Sequence, residues 1–426
     1  MSGSNPAKTA GSPKAGKGRV IWVNRFFHPD ESATSIMLTD LVRDLAAQGG
    51  AAHHLVTSNA QYAGHDGARA DPVQGVVVHR VPAIARNSKS LAVRAVNFLL
   101  FYLGALFHLL RCVRRGDVVV ALTDPPLIGT ICSFVARLKG ARCVHWVQDI
   151  FPETASRLGY LRENGLFDRM LRHLRNASWH RASTSVTIGE NMRAYLVANG
   201  VAGQRVTVIQ NWAAEQAIRP VDPQSNQLRR EWDYTADHCV IGYSGNLGRA
   251  HEIETKIAAM QLLHARGEEG LRYLYIGGGA RQDDLRRAAR SLPDHLIAFR
   301  PYQPMDRLAD SLSVPDVHWI SLQPRLEGLI VPSKLYGALA VGRPIIFIGD
   351  AKAEVARILA EAECGASFIP GEEEKLADYL ASLAADPDMR RRMGLNGRSY
   401  LESHLRRSGR IDQWSALIAS LQQSAP

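Results

Sequence analysis

The stretch CVIGYSGNLGRAH, at residues 239–251, decides the fold. Its first part, CVIGYSG (239–245), is short and apolar, which predicts a buried strand. The glycine-rich loop GNLGRAH (245–251) follows at once, and the next residues predict a helix over 251–267. A strand that ends in glycines and leads into a helix is typical of a Rossmann-type α/β unit.

The same alternation of strands and helices continues on both sides of this unit. Downstream, four more strands are predicted with helices between them: LRYLYIGGG (271–279), HLIAFRPY (295–302), VHWISLQ (317–323) and PIIFIGD (344–350). Upstream, the predicted strands are VIWV (20–23), HHLVTS, VVVHRV, VVVALT, RCVHWVQD and ASTSVTIG, and the first helix covers 35–50. This pattern predicts parallel sheets with crossover helices. The fold class is therefore α/β, with two Rossmann-like doubly wound domains facing a cleft.

A turn-rich segment with two prolines, VIQNWAAEQAIRPVDPQSN, begins at residue 208 and separates the two series. We therefore predict a disordered basic arm (1–18), a first Rossmann-like domain (19–205), a hinge (206–222), a second Rossmann-like domain (223–400) and a C-terminal helix (401–426) that returns to the first domain.

Composition excludes several classes of protein. Hydrophobic residues make up 46% of the 426 residues and charged residues 22%, as in soluble globular proteins, so a fibre, a disordered chain and a multi-span membrane protein are excluded. The five cysteines are widely spaced, and no Cys or His cluster has the spacing of a metal site. We predict no metal centre and no disulfide framework, and we expect a reduced, cytoplasmic setting.

Charge is divided unevenly along the chain. Residues 1–212 hold 25 Lys and Arg against 13 Asp and Glu, whereas residues 213–426 hold 26 against 28. The basic first half suggests an anionic partner, which could be a membrane, a nucleic acid or a phosphorylated acceptor. The alternative is that the excess of Arg only reflects genome composition.

The most apolar segment of the chain lies in this basic half, at residues 91–110. Its run from Ala95 to Leu110, which holds no Asp, Glu, Lys or Arg but includes His108, is shorter than the ~20 residues that span a bilayer. Lys and Arg flank the run, and no acid occurs between residues 86 and 115, which suits a helix at an anionic membrane surface. A buried helix packed on the sheet is the alternative. A nucleic-acid partner is not predicted, because the charges surround an apolar segment and do not interleave with aromatic residues.

Two glycine loops and a lysine have the chemistry of an anion site. Backbone amides of Gly245, Asn246, Leu247 and Gly248, with the cation of Arg249, suit a phosphate where a strand meets a helix. The loop IGGG (276–279), which holds Gly277 and Gly278, ends the neighbouring strand.

A third segment, RLEGLIVPSKLYGALAVGRPIIFIGD (325–350), combines a charged loop, a helix start and a buried strand. Glu327 beside a glycine can accept hydrogen bonds from hydroxyls, and Lys334 at a helix start adds positive charge. For each residue the alternative is that it has no role in a ligand site: Glu327 can be a solvated side chain, and Lys334 can be a surface residue.

Together these segments resemble bacterial glycosyltransferase family 4, and within it the group that builds exopolysaccharide, colanic acid and O-antigen. The segments are TDPPL (123–127), QDIFPE (148–153), VIQNW (208–212), IGYSGNLGRAHE (241–252) and the 325–350 stretch. The resemblance runs from Val20 to about residue 420. It implies the two-domain GT-B fold, a nucleotide-sugar donor held mainly by the second domain, an acceptor on the first domain, no essential metal and retention of anomeric configuration.

The resemblance also implies roles for individual residues. Glu327 faces the donor sugar, and Asp149 is the polar catalytic candidate of the first domain. The donor site consists of Gly245, Asn246, Leu247, Gly248, Arg249, Gly277, Gly278, Tyr302 and Lys334, with Tyr302 stacked on the base. The acceptor lies near His28, Glu31 and Ser32.

Four positions depart from the family pattern. Asn246 and His251 stand where the family commonly has an Arg and a Lys for the donor diphosphate. Gly337 replaces the second of two glutamates, which usually binds the ribose, and Gln148 replaces a His. Arg249, Lys334 and the 245–248 backbone must therefore do more of the binding.

The sequence thus predicts a retaining, metal-independent glycosyltransferase with no cofactor. We expect a UDP-sugar donor in preference to a GDP-sugar, and a lipid-linked or polysaccharide-precursor acceptor. The expected location is cytoplasmic, peripherally associated with the inner membrane. A nucleotide-sugar epimerase on the same fold, or a non-catalytic partner subunit that keeps the fold, remains an alternative.

Overall fold

Two parallel sheets organise the chain. The structure, a computed structural model, describes residues 18–30, 32–59, 72–84, 91–213 and 218–423. The first sheet has the order β3-β2-β1-β4-β5-β6-β7: β1 (Val20–Val23), β2 (His53–Ser58), β3 (Val76–Val81), β4 (Val118–Ala121), β5 (Arg142–Val147), β6 (Thr184–Thr187) and β7 (Val206–Val208). The second has the order β10-β9-β8-β11-β12-β13: β8 (Cys239–Asn246), β9 (Leu271–Gly278), β10 (Ile297–Arg300), β11 (Val317–Ser321), β12 (Ile345–Ile348) and β13 (Gly365–Phe368).

Both sheets are doubly wound, which confirms the predicted fold class. The helices of the first domain are α1 (Ala33–Gln48), α2 (Leu91–Cys112), α3 (Ile128–Lys139), α4 (Glu153–Arg157), α5 (Leu166–Arg181) and α6 (Glu190–Ala198). Those that follow are α7 (Gln227–Glu231), α8 (Glu254–Ala265), α9 (Gln282–Ala288), α10 (Leu308–Ser313), α11 (Lys334–Ala340), α12 (Glu354–Ala362), α13 (Glu373–Ala385), α14 (Pro387–His404) and α15 (Arg407–Gln423).

Strand composition follows from burial on both faces. Every residue of β1 and β4 is buried, and both strands are runs of apolar residues, as expected of parallel strands covered on both sides. In the first domain α2 and α3 cover one face and α5 lies beside α3, while α1 covers the other face together with α15. The loops at the carboxyl ends of the strands are left to form the site.

The structure moves two of the predicted domain boundaries. Residues 206–208 form β7 at the edge of the first sheet, and Trp212 stacks on Trp146 at 6.2 Å between ring centroids. The predicted hinge, 206–222, therefore starts too early, and residues 214–217 within it lie outside the described residues. Helix α14 continues past 401 and packs on α11 and α12, so the second domain extends to residue 404. Residues 1–17 of the predicted arm also lie outside the described residues.

Helix α15 returns to the first domain and closes its core. Trp414 is fully buried, and its ring centroid lies 5.8 Å from that of Trp22 and 4.9 Å from that of Trp146. The guanidinium of Arg407 pairs with Asp44 of α1 at 2.8 Å. The last helix is therefore an integral part of the first domain's core.

Helix α2 is apolar on two faces. Phe101 and Leu109 are buried in the first domain's core, whereas Leu99 and Phe107 are more than half exposed. By length and composition alone the segment Ala95–Cys112 could cross a membrane, although 22% of it is buried in the protein. One face of α2 therefore packs in the core, and the opposite apolar face is exposed to solvent.

Replacing Trp414 with Ala should destabilise the protein by about 3–5 kcal/mol, the usual cost of removing a buried aromatic ring. The loss comes from the cavity left between Trp22 and Trp146. Urea unfolding measures it. Leu395→Ala, at a position that is 61% exposed, is the control and should change the free energy of unfolding by less than about 0.5 kcal/mol. Equal effects of the two variants would show that α15 is only loosely attached.

Candidate active site between the two domains

The two domains meet where the loop after β5 touches the loop before α11. Asp149 and Ile330 form an isolated antiparallel bridge, and the Ile150 amide donates to the Leu329 carbonyl at 3.0 Å. Glu327 lies three residues before Ile330 in the chain. The structure thus brings Asp149 and Glu327, one from each domain, to the same part of the cleft.

Glu327 is held at this junction by hydrogen bonds across the cleft. Its Oε1 accepts from Nδ2 of Asn191 at 2.8 Å and from the backbone amide of Glu354 at 3.4 Å. Partial burial raises the pKa of Glu327, although the bond from Asn191 works in the opposite direction. The side chain is therefore fixed in place and is not a freely solvated glutamate.

Asp149 is exposed to solvent, although protein surrounds it in the cleft. Desolvation by this surrounding protein is the main cause that raises its pKa to about 6, and the charge of Asp124 is the second cause. Asp124 in turn pairs with Arg25 at 3.0 Å, so the loops after β1, β4 and β5 converge here. Asp149 and Thr123 line a cavity of about 40 Å³. A carboxyl group with a pKa near 6 can exchange a proton near neutral pH.

A buried ionic network supports the Asp149 loop. Glu153 is fully buried, and it accepts from Nη2 of Arg175 at 2.8 Å and from the hydroxyl of Tyr195 at 2.7 Å. Burial opposes ionisation of Glu153, but these donors outweigh it and lower its pKa. Glu153, the second acidic residue of the QDIFPE motif, thus supports the loop through its hydrogen bonds. Removal of one of its partners would leave a buried charge unpaired.

The two glycine loops of the second domain are in direct contact. The Leu247 amide donates to the Gly278 carbonyl at 2.6 Å. Gly277 has a φ of +118°, and a Cβ there would come within 2.4 Å of the Gly245 carbonyl oxygen, so this crossing requires glycine. The ring of Tyr302 lies against Gly277 and Gly278, with its edge carbons 3.0 and 3.6 Å from where their Cβ atoms would stand.

Part of the predicted phosphate site is already occupied by the protein's own groups. The Leu247 amide is used by Gly278, and the Leu247 side chain is buried in the core, so this residue offers neither group to a ligand. At the start of α8, the Thr255 amide donates to Glu252 and the Ile253 amide to Glu254. The sequence predicted that the helix start and all four loop amides face a phosphate. That prediction is wrong for the amides of Leu247, Ile253 and Thr255, which already have partners within the protein.

Lys334 lies against the first glycine loop. Its Cε is 3.0 Å from where a Cβ on Gly245 would stand, and its Nζ is 3.4 Å from Nε2 of His251. The His251 Nδ1 lies 2.6 Å from the Ser321 carbonyl oxygen and must donate to it, which leaves Nε2 as an acceptor for Lys334. Burial lowers the pKa of Lys334 to about 8. Lys334 is thus a partly buried cation with a neutral histidine partner.

Arg249 and the predicted acceptor-side residues have contacts of their own within the protein. The guanidinium of Arg249 lies 5.2 Å from the ring centroid of Tyr160, in the first domain. His28 follows β1, and its carbonyl accepts from Arg80 at 2.6 Å. Ser32 directly precedes α1, and its amide donates to Asp30. Glu31 lies outside the described residues.

The family departures have structural counterparts. Gln148 is buried and exchanges two hydrogen bonds with Asn211, at 3.2 and 2.9 Å, so it has a structural role. His145 is buried beside Ser133, and burial lowers its pKa to about 4, so it is neutral near physiological pH. A Cβ placed on Gly337 would lie 3.3 Å from Cδ1 of Leu312.

Sequence reasoning missed several residues that the fold brings to this region. Asn191 and Glu354 fix Glu327 from two different helices, and Tyr160 receives Arg249. None of them lies in a motif, so only the three-dimensional arrangement identifies them. Lys256 is fully buried beneath the donor loops, and its signal in the sequence was a lysine among the apolar residues of α8.

Family comparisons agree with this arrangement. Residues 33–212 match the glycosyl transferase 4-like domain, and residues 224–400 match the glycosyl transferases group 1 domain. Side by side, the two matches make up the domain pair of a glycosyltransferase. The chain belongs to the glycosyltransferases that combine these two domains.

Two relatives of this chain are bacterial glycosyltransferases by name, and the name of one of them refers to colanic acid biosynthesis. It is 29% identical over 269 residues to a probable glycosyltransferase, WbjE, from Pseudomonas aeruginosa, which covers 63% of this chain and 66% of WbjE. It is 25% identical over 285 residues to the putative colanic acid biosynthesis glycosyl transferase WcaI of Escherichia coli K12, covering 66% of this chain and 69% of WcaI. These relatives confirm the resemblance inferred from the motifs.

Solved structures show the same fold. Sucrose-phosphate synthase from Thermosynechococcus elongatus superposes with a TM-score of 0.72 at 18% identity, covering 95% of this chain and 99% of that one. Anabaena HepE in complex with UDP-glucose superposes with a TM-score of 0.68 at 16% identity, covering 94% and 99%. The glycosyltransferase described here therefore has the GT-B fold that the motifs implied.

Replacing Asp149 with Asn should raise the free energy of unfolding at about pH 8 and lower catalytic activity. The folded-state pKa of Asp149 lies above its ordinary value, so ionisation opposes folding as the pH rises through about 6. Asn mimics the protonated acid, and the gain should therefore vanish towards pH 4. Urea titrations at both pH values measure this. Asp294→Asn, at an exposed position, is the control. A gain that does not depend on pH would contradict the raised pKa.

Proposed function

We propose that this glycosyltransferase moves a sugar from a UDP-sugar to a lipid-linked acceptor, with retention of configuration and without a metal. The observation that carries the proposal is the junction of the two domains. There Glu327 and Asp149 share one part of the cleft, and Lys334 lies against the glycine loop at Gly245. This arrangement supplies a carboxylate for a sugar, a titratable carboxyl for an acceptor and a cation for a diphosphate.

A UDP-sugar is the donor that the comparisons favour. Structures of Anabaena HepE, which share the fold, hold UDP in one case and UDP-glucose in another. In this chain Gly245, Gly277 and Gly278 line a small cavity of about 10 Å³, and Tyr302 lies beside these glycines. A nucleotide base can stack on Tyr302 while its diphosphate meets Lys334.

The reaction needs stabilisation of two charges. The sugar–phosphate bond breaks with positive charge on the anomeric carbon and negative charge on the leaving diphosphate. Lys334 stabilises the diphosphate, and one well-aimed donor of this kind can contribute about 2.7–4 kcal/mol. Glu327, held by Asn191, binds the transferred sugar. Attack from the same face, with the leaving phosphate oxygen taking the acceptor proton, gives retention, and Asp149 orients the acceptor hydroxyl.

A continuous apolar face on the first domain fits a membrane-bound acceptor. Helix α3 packs between α2 and α5, and all three helices expose large apolar side chains on their outer surface. We call this the apolar face: Val96, Leu99, Leu103, Phe107, Phe134, Leu138, Leu166, Phe167, Met170 and Leu174. Exposed apolar patches of this kind mark interaction sites.

One arginine packs on the apolar face and others are exposed close to it in the chain, which favours an anionic lipid surface over a protein partner. The guanidinium of Arg111 lies 4.1 Å from the ring centroid of Phe107, and Arg114, Arg115 and Arg137 are exposed nearby in the chain. Because Phe101 and Leu109 bind α2 to the sheet, we propose that α2 lies in the plane of the membrane surface and does not cross it.

Lys334→Ala and Glu327→Gln should separate donor binding from turnover. Removing the Lys334 cation should weaken UDP binding about tenfold or more, because a charge-assisted contact to the diphosphate is lost. Glu327→Gln should leave UDP affinity nearly unchanged and lower the rate of sugar transfer, since Glu327 contacts the sugar. Calorimetry with UDP and a transfer assay with UDP-sugars measure both effects. Loss of UDP binding in Glu327→Gln would contradict the assigned role, and turnover of donor into its epimer would favour an epimerase.

The protein should float with vesicles that contain anionic lipid, and high salt should weaken the attachment without abolishing it. Each nearby Lys or Arg contributes about 1 kcal/mol, and salt screens only this part. The triple variant Leu99→Ser, Leu103→Ser, Phe107→Ser should remain folded by circular dichroism and no longer float. Phe101 is not a suitable target, because it lies in the core and its replacement would unfold the protein.

A matched triple variant controls for the general effect of removing exposed apolar residues. Val197→Ser, Ile369→Ser and Leu395→Ser change residues that are exposed outside the apolar face, and this variant should float like the wild type. A wild-type protein that stays in solution with anionic vesicles at low salt would overturn the membrane proposal and favour a soluble acceptor.

A further inference from the structure

Helix α8 carries a lysine where a core residue is expected. Lys256 is fully buried, and among the described residues its Nζ has no hydrogen-bond partner. Its Nζ lies 5.1 Å from the ring centroid of Tyr243 and 5.3 Å from that of Trp319. Isolated buried ammonium groups are costly, and a fold keeps one only when something else requires it. The packing of α8 alone does not explain this residue.

The Tyr243 ring connects Lys256 to the donor site. Lys334 Nζ lies 5.3 Å from the centroid of the same ring, and His251 packs edge-on against it at 5.5 Å. The Tyr243 hydroxyl donates to the Asn246 carbonyl at 2.7 Å, so the ring also holds the first glycine loop. Two lysines and the loop thus meet on one aromatic side chain.

One buried carboxylate, that of Glu252, lies one turn before Lys256, and its charge raises the pKa of the lysine. Its Oε1 accepts from the amide and the hydroxyl of Thr255, its Oε2 has no hydrogen-bond partner among the described residues, and no ion pair with Lys256 forms within them. Tyr275, on β9, and the neutral His251 are the other titratable groups near this cluster. Helix α13, which packs on α8, directs Asp378 and Glu374 to Arg266 instead.

We propose that Lys256 supplies the second positive charge of the donor diphosphate site, acting through Tyr243 and Lys334 and not by direct contact. The inference rests on the proposed function. It adds a positive charge to a glycine-loop region in which position 246 is Asn and burial lowers the pKa of His251 well below its usual value. A buried charge acts over several ångströms because solvent screens it poorly. Lys256 is therefore a positioning residue that makes the site ready for a diphosphate.

Lys256 Nζ and Lys334 Nζ lie 5.1 and 5.3 Å from the centroid of the same Tyr243 ring, and a diphosphate bound beside them would offset the repulsion between the two like charges. Burial, and also Lys334, lower the pKa of Lys256 to about 7, while Glu252 raises it. A bound diphosphate favours the charged form of both lysines, so binding should be accompanied by proton uptake. Proton uptake is a readout that a purely structural lysine would not give.

The test compares Lys256→Met with wild type by calorimetry, using UDP and UMP. Met fills a similar volume without charge, so the variant should melt at the same or a higher temperature. UDP should bind about tenfold more weakly to it, whereas UMP, which lacks the second phosphate, should lose much less. Lys375→Met, at an exposed position on α13, is the matched control and should bind UDP like the wild type.

Proton uptake is measured for the wild type and for Lys256→Met, from UDP binding at about pH 8 in two buffers of different ionisation enthalpy. Uptake in the wild type and less uptake in Lys256→Met are expected. Unchanged UDP affinity in Lys256→Met, an equal loss for UDP and UMP, or no uptake in the wild type would each overturn the inference while leaving the proposed function intact. A wild type that binds no UDP would overturn both.

Discussion

Between β5 and α4 the first domain pairs its backbone with the second: the Ile150 amide donates to the Leu329 carbonyl, and Asp149 bridges to Ile330. Everything in the site depends on this contact. It fixes the distance between the carboxyl ends of the two sheets, and so it sets Asp149 against the segment that carries Glu327. Asn191 strengthens the junction, since its side-chain amide donates both to Glu327 and to the Lys352 carbonyl.

Buried charge is the common feature of the residues around this junction. Glu153 is fully buried but saturated by Arg175 and Tyr195, so it makes the Asp149 loop rigid. Among the described residues, Lys334 has only the neutral His251 as a hydrogen-bond partner and Lys256 has none, and burial lowers the pKa of each lysine. Groups of the first kind stabilise the fold, whereas groups of the second kind cost stability and are ready for an anion. This contrast separates structural from functional ionisable residues on physical grounds.

The first domain contributes both the apolar face and one side of the cleft. Helices α2, α3 and α5 form the outer layer on one face of the first sheet, and the loops at the carboxyl edge of that sheet line the cleft. Under the proposed function, an acceptor anchored in a membrane would reach the cleft from this outer layer. The second domain, which holds the donor loops, carries no comparable basic excess in its sequence.

The sequence by itself determined the two parallel sheets, the glycine loops, the resemblance to glycosyltransferases and the position of Lys334. These are local features, because strand runs, glycine turns and motifs depend on neighbouring residues. Only the tertiary structure showed that the Leu247 amide is already bonded, that Arg249 reaches Tyr160 and that Lys256 lies beneath Tyr243. Each of these facts depends on contacts between segments far apart in the chain. A buried lysine and an exposed one have the same letter in a sequence, and only packing decides which of them carries a charge that water cannot screen.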